Sequence, residues 1–181
     1  MAELLADLFI SLDGFAGGEG FGPYFGYGGP ELDAWVEEHL AEPQQVVLGR
    51  KTYEALASIS AGLDSVSTGL TAVPKLVVSN TLEEPLAWAN SRLLRGDAAE
   101  ELRRVKDESD RPLRTMGSLS LVKSLLQAGV LERLRFMVFP VIAGPRGREP
   151  AFAELAAQHL ELVETQVLDG RLVLLEYRTR T

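Results

Sequence analysis

Strand-like apolar runs alternate with helical patterns along most of this chain, and that alternation limits its fold more than any other feature. The first run, Leu4 to Leu12, is almost wholly apolar, which is typical of a strand buried on both faces. Similar short runs occur at Val46 to Leu48, Lys75 to Ser79, Arg92 to Arg95, Leu113 to Met116 and Leu134 to Ile142. Because strands separated by helices form parallel sheets covered on both faces, we expect a three-layer α/β sandwich with a mostly parallel central sheet.

Helical patterns fill the intervals between these runs. Pro30 to Leu40 carries its apolar side chains on one stripe, and Asp97 with Glu100 forms a capping-box-like start for another helix. Further helices are predicted at Gly49 to Ala57, Ser118 to Ala128 and Phe152 to Ala157.

The remaining segments complete one predicted domain over residues 1–181. Ser58 to Thr71 is rich in small polar residues and predicts a surface loop. His159 to Thr165 and Leu172 to Arg178 predict a C-terminal antiparallel hairpin that turns at Asp169-Gly170.

The composition excludes several classes of chemistry. The chain has 181 residues, no cysteine and only two histidines, so we expect no disulfide, cysteine nucleophile or metal site. Its 26 acidic and 18 basic side chains give a formal net charge of −8. That charge offers no long-range attraction to nucleic acid or to an anionic membrane, and we expect neither as a partner.

The start of the chain carries no targeting pattern. No basic flank precedes an apolar stretch, and Glu3 and Asp7 are acidic. A run of about 18 apolar residues, the length that spans a membrane, does not occur in the sequence. We therefore expect a cytoplasmic protein.

The first candidate site lies where an apolar strand runs into Gly49. Arg50, Lys51 and Thr52 follow at the predicted start of a helix. Such a start offers unpaired backbone amides and the positive end of the helix dipole, and the two cations add side-chain charge. This arrangement suits a phosphate group. The alternative is a solvated helix start whose cations face water.

A second turn from strand to helix, at Gly117 and Ser118, repeats that pattern. Ligands of open parallel sheets collect beyond the carboxyl ends of the strands, so two such turns can flank one crevice, which suggests a dinucleotide. The alternative is a tight turn that only requires a small residue. Ser79 and Asn80 end another strand and, taken by themselves, indicate a turn.

Four ordered segments together resemble a known superfamily. Gly49 to Glu54, after an apolar strand, is similar to the cofactor motif of dihydrofolate reductases. Ser11 to Phe15, Gly117 to Val122 and Leu134 to Gly144 resemble one branch, the reductase domain C-terminal to the deaminase in bacterial riboflavin biosynthesis (the RibD C-terminal domain) and its free-standing relatives. The resemblance covers nearly the whole chain and implies a dihydrofolate-reductase-like fold.

The resemblance also implies NADPH as the cofactor, bound across the carboxyl edge of the sheet. The residues that would contact it are Gly49, Arg50, Lys51, Thr52, Ser79, Asn80, Gly117, Ser118 and Leu119. A guanidinium suits the additional 2′-phosphate, which favours NADPH over NADH. Dihydrofolate reductases have two adjacent glycines, often with a cis peptide bond, where this chain has Met116-Gly117, so the resemblance alone does not establish a cis bond here.

The segment from Gly14 to Gly29 combines nearly half of the 17 glycines with several aromatic side chains. We predict a long mobile loop that closes over a flat heterocycle and stacks rings on it. The alternative is a disordered surface loop. Asp13, Phe15, Tyr24 and Phe25 are the candidate substrate contacts, although Asp13 also suits a simple Asp-Gly turn.

Asp33 is the candidate catalytic acid, because reduction of a heterocycle requires a proton as well as a hydride. Its place on the helix before the Gly49 strand resembles that of the pterin-binding carboxylate in dihydrofolate reductases. The same helix carries Glu31, Glu37 and Glu38, so the alternative is a solvated acid.

The resemblance narrows the substrate to a small pterin-like or aminopyrimidine heterocycle. The nearest named activity is reduction of 5-amino-6-(5-phosphoribosylamino)uracil. The acidic Asp-Asp-Pro segment typical of committed riboflavin reductases is absent, and Gly49 to Glu54 occupies its place. A deaminase activity is not expected, because the zinc site of that domain needs thiols that this chain lacks.

Three alternatives remain beside an NADPH-dependent reductase of this branch. They are a true dihydrofolate reductase with an essential Asp33, a nucleotide-binding homologue without catalysis, and a structural dimer with an empty crevice. We also expect a homodimer. The strand that contains Phe136 and Val138, with the segment around Pro140, has more apolar residues than are needed to cover one face of the sheet. Relatives dimerise through this region.

Overall fold

The computed structural model describes residues 2–60 and 65–180. Over these ranges the chain forms an eight-stranded sheet and a separate two-stranded ribbon. The strands are β1 (Leu4–Ser11), β2 (Phe15–Gly18), β3 (Gln45–Gly49), β4 (Lys75–Val78), β5 (Ser91–Leu94), β6 (Leu113–Met116), β7 (Arg133–Phe139), β8 (Gly147–Pro150), β9 (Leu160–Leu168) and β10 (Leu172–Thr179).

The main sheet has the strand order β5-β4-β3-β6-β1-β7-β10-β9. The six strands from β5 to β7 run parallel. β10 is antiparallel to β7 and to β9, so the sheet ends in an antiparallel hairpin. The ribbon pairs β2 with β8.

The α-helices are α1 (Pro30–Ala41), α2 (Arg50–Ile59), α3 (Ser65–Ala72), α4 (Ala98–Glu108) and α5 (Leu119–Gln127). Short 3-10 helices occupy Pro23–Gly26 and Gly144–Arg146. The predicted cap of α4 is present, since the Asp97 carboxylate accepts the Glu100 amide at 3.0 Å. Within residues 2–60 and 65–180, none of the helices combines the length and apolar character needed to cross a membrane.

β1 separates two parts of the core. Its even-numbered apolar residues, among them Leu8 and Ile10, face a core shared with α4 and α5. Phe9 faces the other side, where Leu32 and Trp35 of α1 pack on the sheet. The alternation follows from the pleat of a strand, which sends successive side chains to opposite faces.

These observations confirm the predicted fold class, a three-layer α/β sandwich with a mostly parallel sheet and a C-terminal hairpin. The predicted helix over Phe152 to Ala157 is wrong: the segment is non-helical, and Glu154 has a positive φ of 67° that interrupts a helix. The prediction of one loop over Ser58 to Thr71 is wrong in part, because α3 begins at Ser65. Residues 61–64 of that loop lie outside the described residues.

The prediction of one long loop over Gly14 to Gly29 is also wrong in part. Its first third forms β2, which pairs with β8, a strand more than a hundred residues away. The rings of Tyr24, Phe25 and Tyr27 pack against Phe139, with centroids 6.2, 5.6 and 6.1 Å from it. Burial of these rings against the core explains why the segment takes a defined path.

Candidate functional site

A cleft of about 1020 Å³ opens where β3, β4 and β6 end. β3 and β6 are adjacent parallel strands, so the turns that follow them lie side by side. The two turns and the helix starts after them supply much of the cleft lining: Gly49, Arg50, Lys51, Thr52, Gly117, Ser118 and Leu119. The structure therefore brings the two glycine turns to one crevice.

Ser118 links the two turns directly. Its hydroxyl oxygen accepts the Gly49 amide at 2.8 Å and lies 2.7 Å from the Thr52 hydroxyl. One side chain thus joins the start of α2 to the start of α5. Both contacts are partly buried, and they hold the two turns together at this point.

Two backbone positions explain why small residues stand here. Gly117 and Ser118 have φ values of 65° and 62°, in the left-handed region that glycine tolerates best. At Gly49 the reason is space, since a Cβ would lie 3.1 Å from the Ser118 hydroxyl oxygen. The peptide bond between Met116 and Gly117 is trans.

The helix starts at the cleft lack the side-chain caps that satisfy helix amides elsewhere in the fold. α2 begins after Gly49 and α5 after Ser118, and neither residue caps its helix through a side-chain hydrogen bond. α4, by contrast, is capped by Asp97. Uncapped amides at two converging helix starts, with the positive ends of two helix dipoles, form a cradle for an anion.

Cationic side chains border this cradle. Arg50 and Lys51 of α2 and Lys123 of α5 all line the cleft. Arg50 forms an ion pair with Glu54 at 3.0 Å, and the side chains are 42% and 48% exposed. An ion pair this exposed is worth about 0–1 kcal/mol, so a bound phosphate can compete for the guanidinium.

Ser79 and Asn80 have different surroundings. Ser79 is buried and lines the cleft, and its hydroxyl accepts the amides of Thr81 and Leu82 at 3.2 and 3.1 Å. Asn80 lies outside the cleft lining and exchanges two hydrogen bonds with the backbone of Gly96. Ser79 is therefore part of the cleft wall, whereas the contacts of Asn80 join β4 to the segment after β5.

The sequence profile of the RibD C-terminal domain matches residues 2–174. The chain belongs to this family. The match confirms the resemblance carried by the four motifs and includes every residue of the cleft described above. Comparison with curated protein sequences finds no match.

Solved structures share the architecture of this RibD C-terminal domain. A Shewanella sp. PV-4 protein assigned to riboflavin biosynthesis gives a TM-score of 0.74 at 19% identity, with 100% of both chains covered. The deaminase/reductase of Thermotoga maritima gives 0.69 at 15% identity over 99% of this chain and 57% of that one. A dihydrofolate reductase of Enterococcus faecalis in complex with NADP(H) gives 0.66 at 16%, covering 99% and 97%. These likenesses confirm the dihydrofolate-reductase-like fold.

Asp13, a predicted substrate contact, is engaged by its own protein. Its carboxylate accepts the hydroxyl of Ser11 at 2.7 Å and the amides of Ala143 and Gly144 at 2.9 and 2.8 Å. These hydrogen bonds, that of Ser11 first, lower the pKa of Asp13 to about 2. The contacts favour a structural role between β1 and the turn after β7. Substrate binding by Asp13 stays a prediction.

The predicted aromatic contacts lie outside the cleft lining. Phe15 packs in β2 against Gly147, where an added Cβ would lie 2.6 Å from its ring. Tyr24 is 5.3 Å from Phe9, between ring centroids, and Phe25 packs on Phe139. Phe9 itself borders the cleft, so the Tyr24 ring supports the cleft wall from behind. Stacking of Phe15, Tyr24 or Phe25 on a substrate stays a prediction.

Asp33, the candidate acid, is exposed on α1 and also lies outside the cleft lining. It is close enough to Tyr24 to act on that hydroxyl electrostatically. Burial, and second to it the negative charge of Asp33, raise the pKa of Tyr24. The catalytic role of Asp33 stays a prediction.

Sequence reasoning missed a buried charged cluster at the inner wall of the cleft. Asp7 of β1 and Arg114 of β6 line the cleft, and Arg135 of β7 lies beside Asp7. A signal was available, because Asp7 interrupts an otherwise apolar strand and both arginines occupy strands. Buried charges are costly unless paired, so such residues in buried strands indicate a built cluster.

Proposed function

We propose that this RibD C-terminal domain is an NADPH-dependent reductase that transfers a hydride to a pyrimidine-like heterocycle. The observation that carries the proposal is the pair of uncapped helix starts, joined by Ser118 and bordered by Arg50 and Lys51, in one large cleft. A dinucleotide has phosphates that suit this cradle.

The backbone amides and cationic side chains of the cleft match the phosphate groups of NADPH. The amides at the starts of α2 and α5 would hold the pyrophosphate, and Arg50 with Lys51 would bind the 2′-phosphate. When bound, NADPH supplies a hydride from its reduced nicotinamide, and the protein orients the partners and excludes water.

The substrate that we propose is an aminopyrimidine. Reduction of 5-amino-6-(5-phosphoribosylamino)uracil is the nearest named activity, and family membership together with the description of the Thermotoga maritima neighbour supports it. The test is the loss of NADPH absorbance in the presence of this compound. Oxidation that requires both protein and heterocycle supports the proposal. The absence of oxidation with this compound and with a panel of aminopyrimidines and pterins contradicts it.

Asp33→Asn tests the proton donor and separates the proposal from dihydrofolate reduction. If Asp33 protonates the substrate, turnover falls about 10²-fold or more and its pH profile loses the basic limb, where the wild-type acid has lost its proton. The measurement is the pH dependence of turnover with aminopyrimidine and with dihydrofolate, and Glu37→Gln on the same helix is the control. Unchanged turnover by Asp33→Asn contradicts the assignment of Asp33 as the acid.

A further inference from the structure

The inner wall of the cleft carries a guanidinium that is buried and held in one orientation. Arg114 is only 7% exposed, yet it lines the cleft. Its Nε donates to Asp7, and its Nη1 donates to the backbone carbonyl of His39 at 3.1 Å. The Trp35 ring covers the guanidinium, with the ring centroid 5.5 Å from Cζ. A cation fixed on these sides has little freedom to turn away from the cleft.

Arg135 provides a built-in comparison. It is 8% exposed, donates to the same Asp7 carboxylate at 2.6 and 3.3 Å, and lies 4.8 Å from the same Trp35 ring. Arg135 also lies 3.6 Å from the buried Glu176. Unlike Arg114, it is not part of the cleft lining. The two arginines therefore share Asp7 and Trp35 as partners and differ in access to the cleft.

The inner wall offers hydrogen-bond donors rather than acceptors. Both carboxylate oxygens of Asp7 already accept from arginines. Arginine has five N–H groups, and among the described residues only Asp7 and the His39 carbonyl accept from Arg114. The other carboxylates of the lining, Glu149 and Glu154, are exposed.

We propose that Arg114 is a specificity-determining residue that binds an acceptor edge of the substrate heterocycle, such as a ring carbonyl oxygen. The inference rests on the proposed function and specifies the substrate class of that site. A dioxopyrimidine offers carbonyl oxygens to the guanidinium. A polyaminopyrimidine offers amino groups whose hydrogens oppose those of Arg114, which leaves buried donors unpaired.

Binding of two pyrimidines of opposite polarity tests the inference. The probes are 5,6-diaminouracil, which has two ring carbonyls, and 2,4,6-triaminopyrimidine, which has none. Calorimetric titration of the full chain, with and without saturating NADPH, measures both affinities without any turnover. We expect the wild-type protein to prefer the uracil by about tenfold or more, as a charged hydrogen bond predicts.

Arg114→Met is expected to remove this preference, whereas Arg135→Met retains it. Both variants lose one guanidinium from Asp7, and denaturant unfolding checks that both fold. Arg114→Lys, which keeps the charge but loses the planar fork, covers the case that Arg114→Met fails to fold, and should reduce the preference. The inference is overturned if Arg114→Met or Arg114→Lys keeps the wild-type preference for the uracil. It is also overturned if Arg135→Met loses that preference to the same extent.

The experiment separates this inference from the proposed function. An Arg114-dependent preference without detectable NADPH binding supports the role of Arg114 and contradicts the reductase. NADPH binding without any preference between the two pyrimidines supports the cofactor cradle and contradicts the role of Arg114.

Discussion

The carboxylate of Asp13 fixes the turn after β7 to the end of β1 through three hydrogen bonds. Those bonds, that from Ser11 first, lower its pKa from 3.8 to about 2. A folded-state pKa below the unfolded value means that the unfolded chain binds more protons in this window. The stabilisation is therefore fully present above pH 3.8 and is lost as the pH falls through about 2.

Asp13→Asn is expected to remove this part of the acid sensitivity. The free energy of unfolding of the wild-type protein should fall more steeply than that of the variant between pH 3.8 and about 2. Denaturant unfolding across this range measures the difference, and Asp110→Asn, at an exposed loop carboxylate, is the control. Parallel curves for wild type and Asp13→Asn would contradict the assignment.

Individual contacts of this kind lie beyond what the sequence can predict. Asp13 indicates a turn by its residue type, but its partners Ala143 and Gly144 are about 130 residues away. Arg50 and Gly117 were identifiable because each stands where an apolar strand ends. Arg114 is marked in the sequence only as a charge within a strand, and the packed structure is needed to show that Trp35 and Asp7 hold it against the cleft.

At the scale of elements, α2 and α5 depend on one shared residue. Ser118 accepts the Gly49 amide and contacts Thr52, and it adopts a positive φ of 62°. The hydroxyl stabilises the arrangement, whereas the backbone conformation costs about 1–2 kcal/mol for a residue other than glycine. These opposing effects act at the same position.

Two substitutions separate these effects. Ser118→Ala loses both hydrogen bonds and should lower the free energy of unfolding by about 1–3 kcal/mol. Ser118→Gly loses the same bonds but relieves the backbone, so it should be the more stable variant. Denaturant unfolding and NADPH titration measure both consequences, and both variants should bind NADPH more weakly. A Ser118→Ala variant with wild-type stability and affinity would show that the link is unimportant.

Elements formed by local pattern were predictable, and those formed by distant pairing were not. β2 exists because it pairs with β8, and no local pattern indicates that pairing. The Ser, Thr and Gly content of α3 gives no helical pattern in the sequence. The end of this helix is held by a side-chain contact instead, because the ammonium of Lys75 donates to the carbonyls of Leu70, Thr71 and Val73 at 2.9, 3.1 and 2.7 Å. Burial of Lys75 lowers its pKa to about 8.

At the scale of the whole molecule, the edge of the sheet suggests a second copy of the chain. β9 is an edge strand, and its Leu162, Val163 and Val167 are 55%, 42% and 60% exposed. Phe136 and Val138 border a neighbouring apolar cavity of about 430 Å³. An exposed apolar edge strand is a liability in a monomer, and pairing with another chain covers it.

We propose a homodimer that buries this edge. Sedimentation equilibrium should give twice the chain mass of 19.7 kDa for the wild type. Val167→Lys places a charge on the edge and should shift the protein towards the monomer, whereas Ile59→Lys, at an exposed position of α2, should not. A wild-type protein of monomer mass contradicts the proposal.

The alternating strands and helices of the sequence indicated the three-layer architecture. The resemblance to dihydrofolate reductases indicated which fold of that architecture the chain adopts. Strand order does not follow from periodicity. The insertion of β6 between β3 and β1 is therefore the feature that pattern reasoning alone could not give. That insertion places Gly117 beside Gly49 and so creates the cradle.

The most direct test of that cradle is calorimetric titration of the full chain with NADPH and NADH. We expect tighter binding of NADPH, and Arg50→Ala should weaken NADPH by about 1.5–3 kcal/mol with little effect on NADH. Arg178→Ala, at an exposed position of β10 away from the cleft, should change neither affinity. Equal weak binding of both nucleotides, or equal losses for both in Arg50→Ala, would contradict the account.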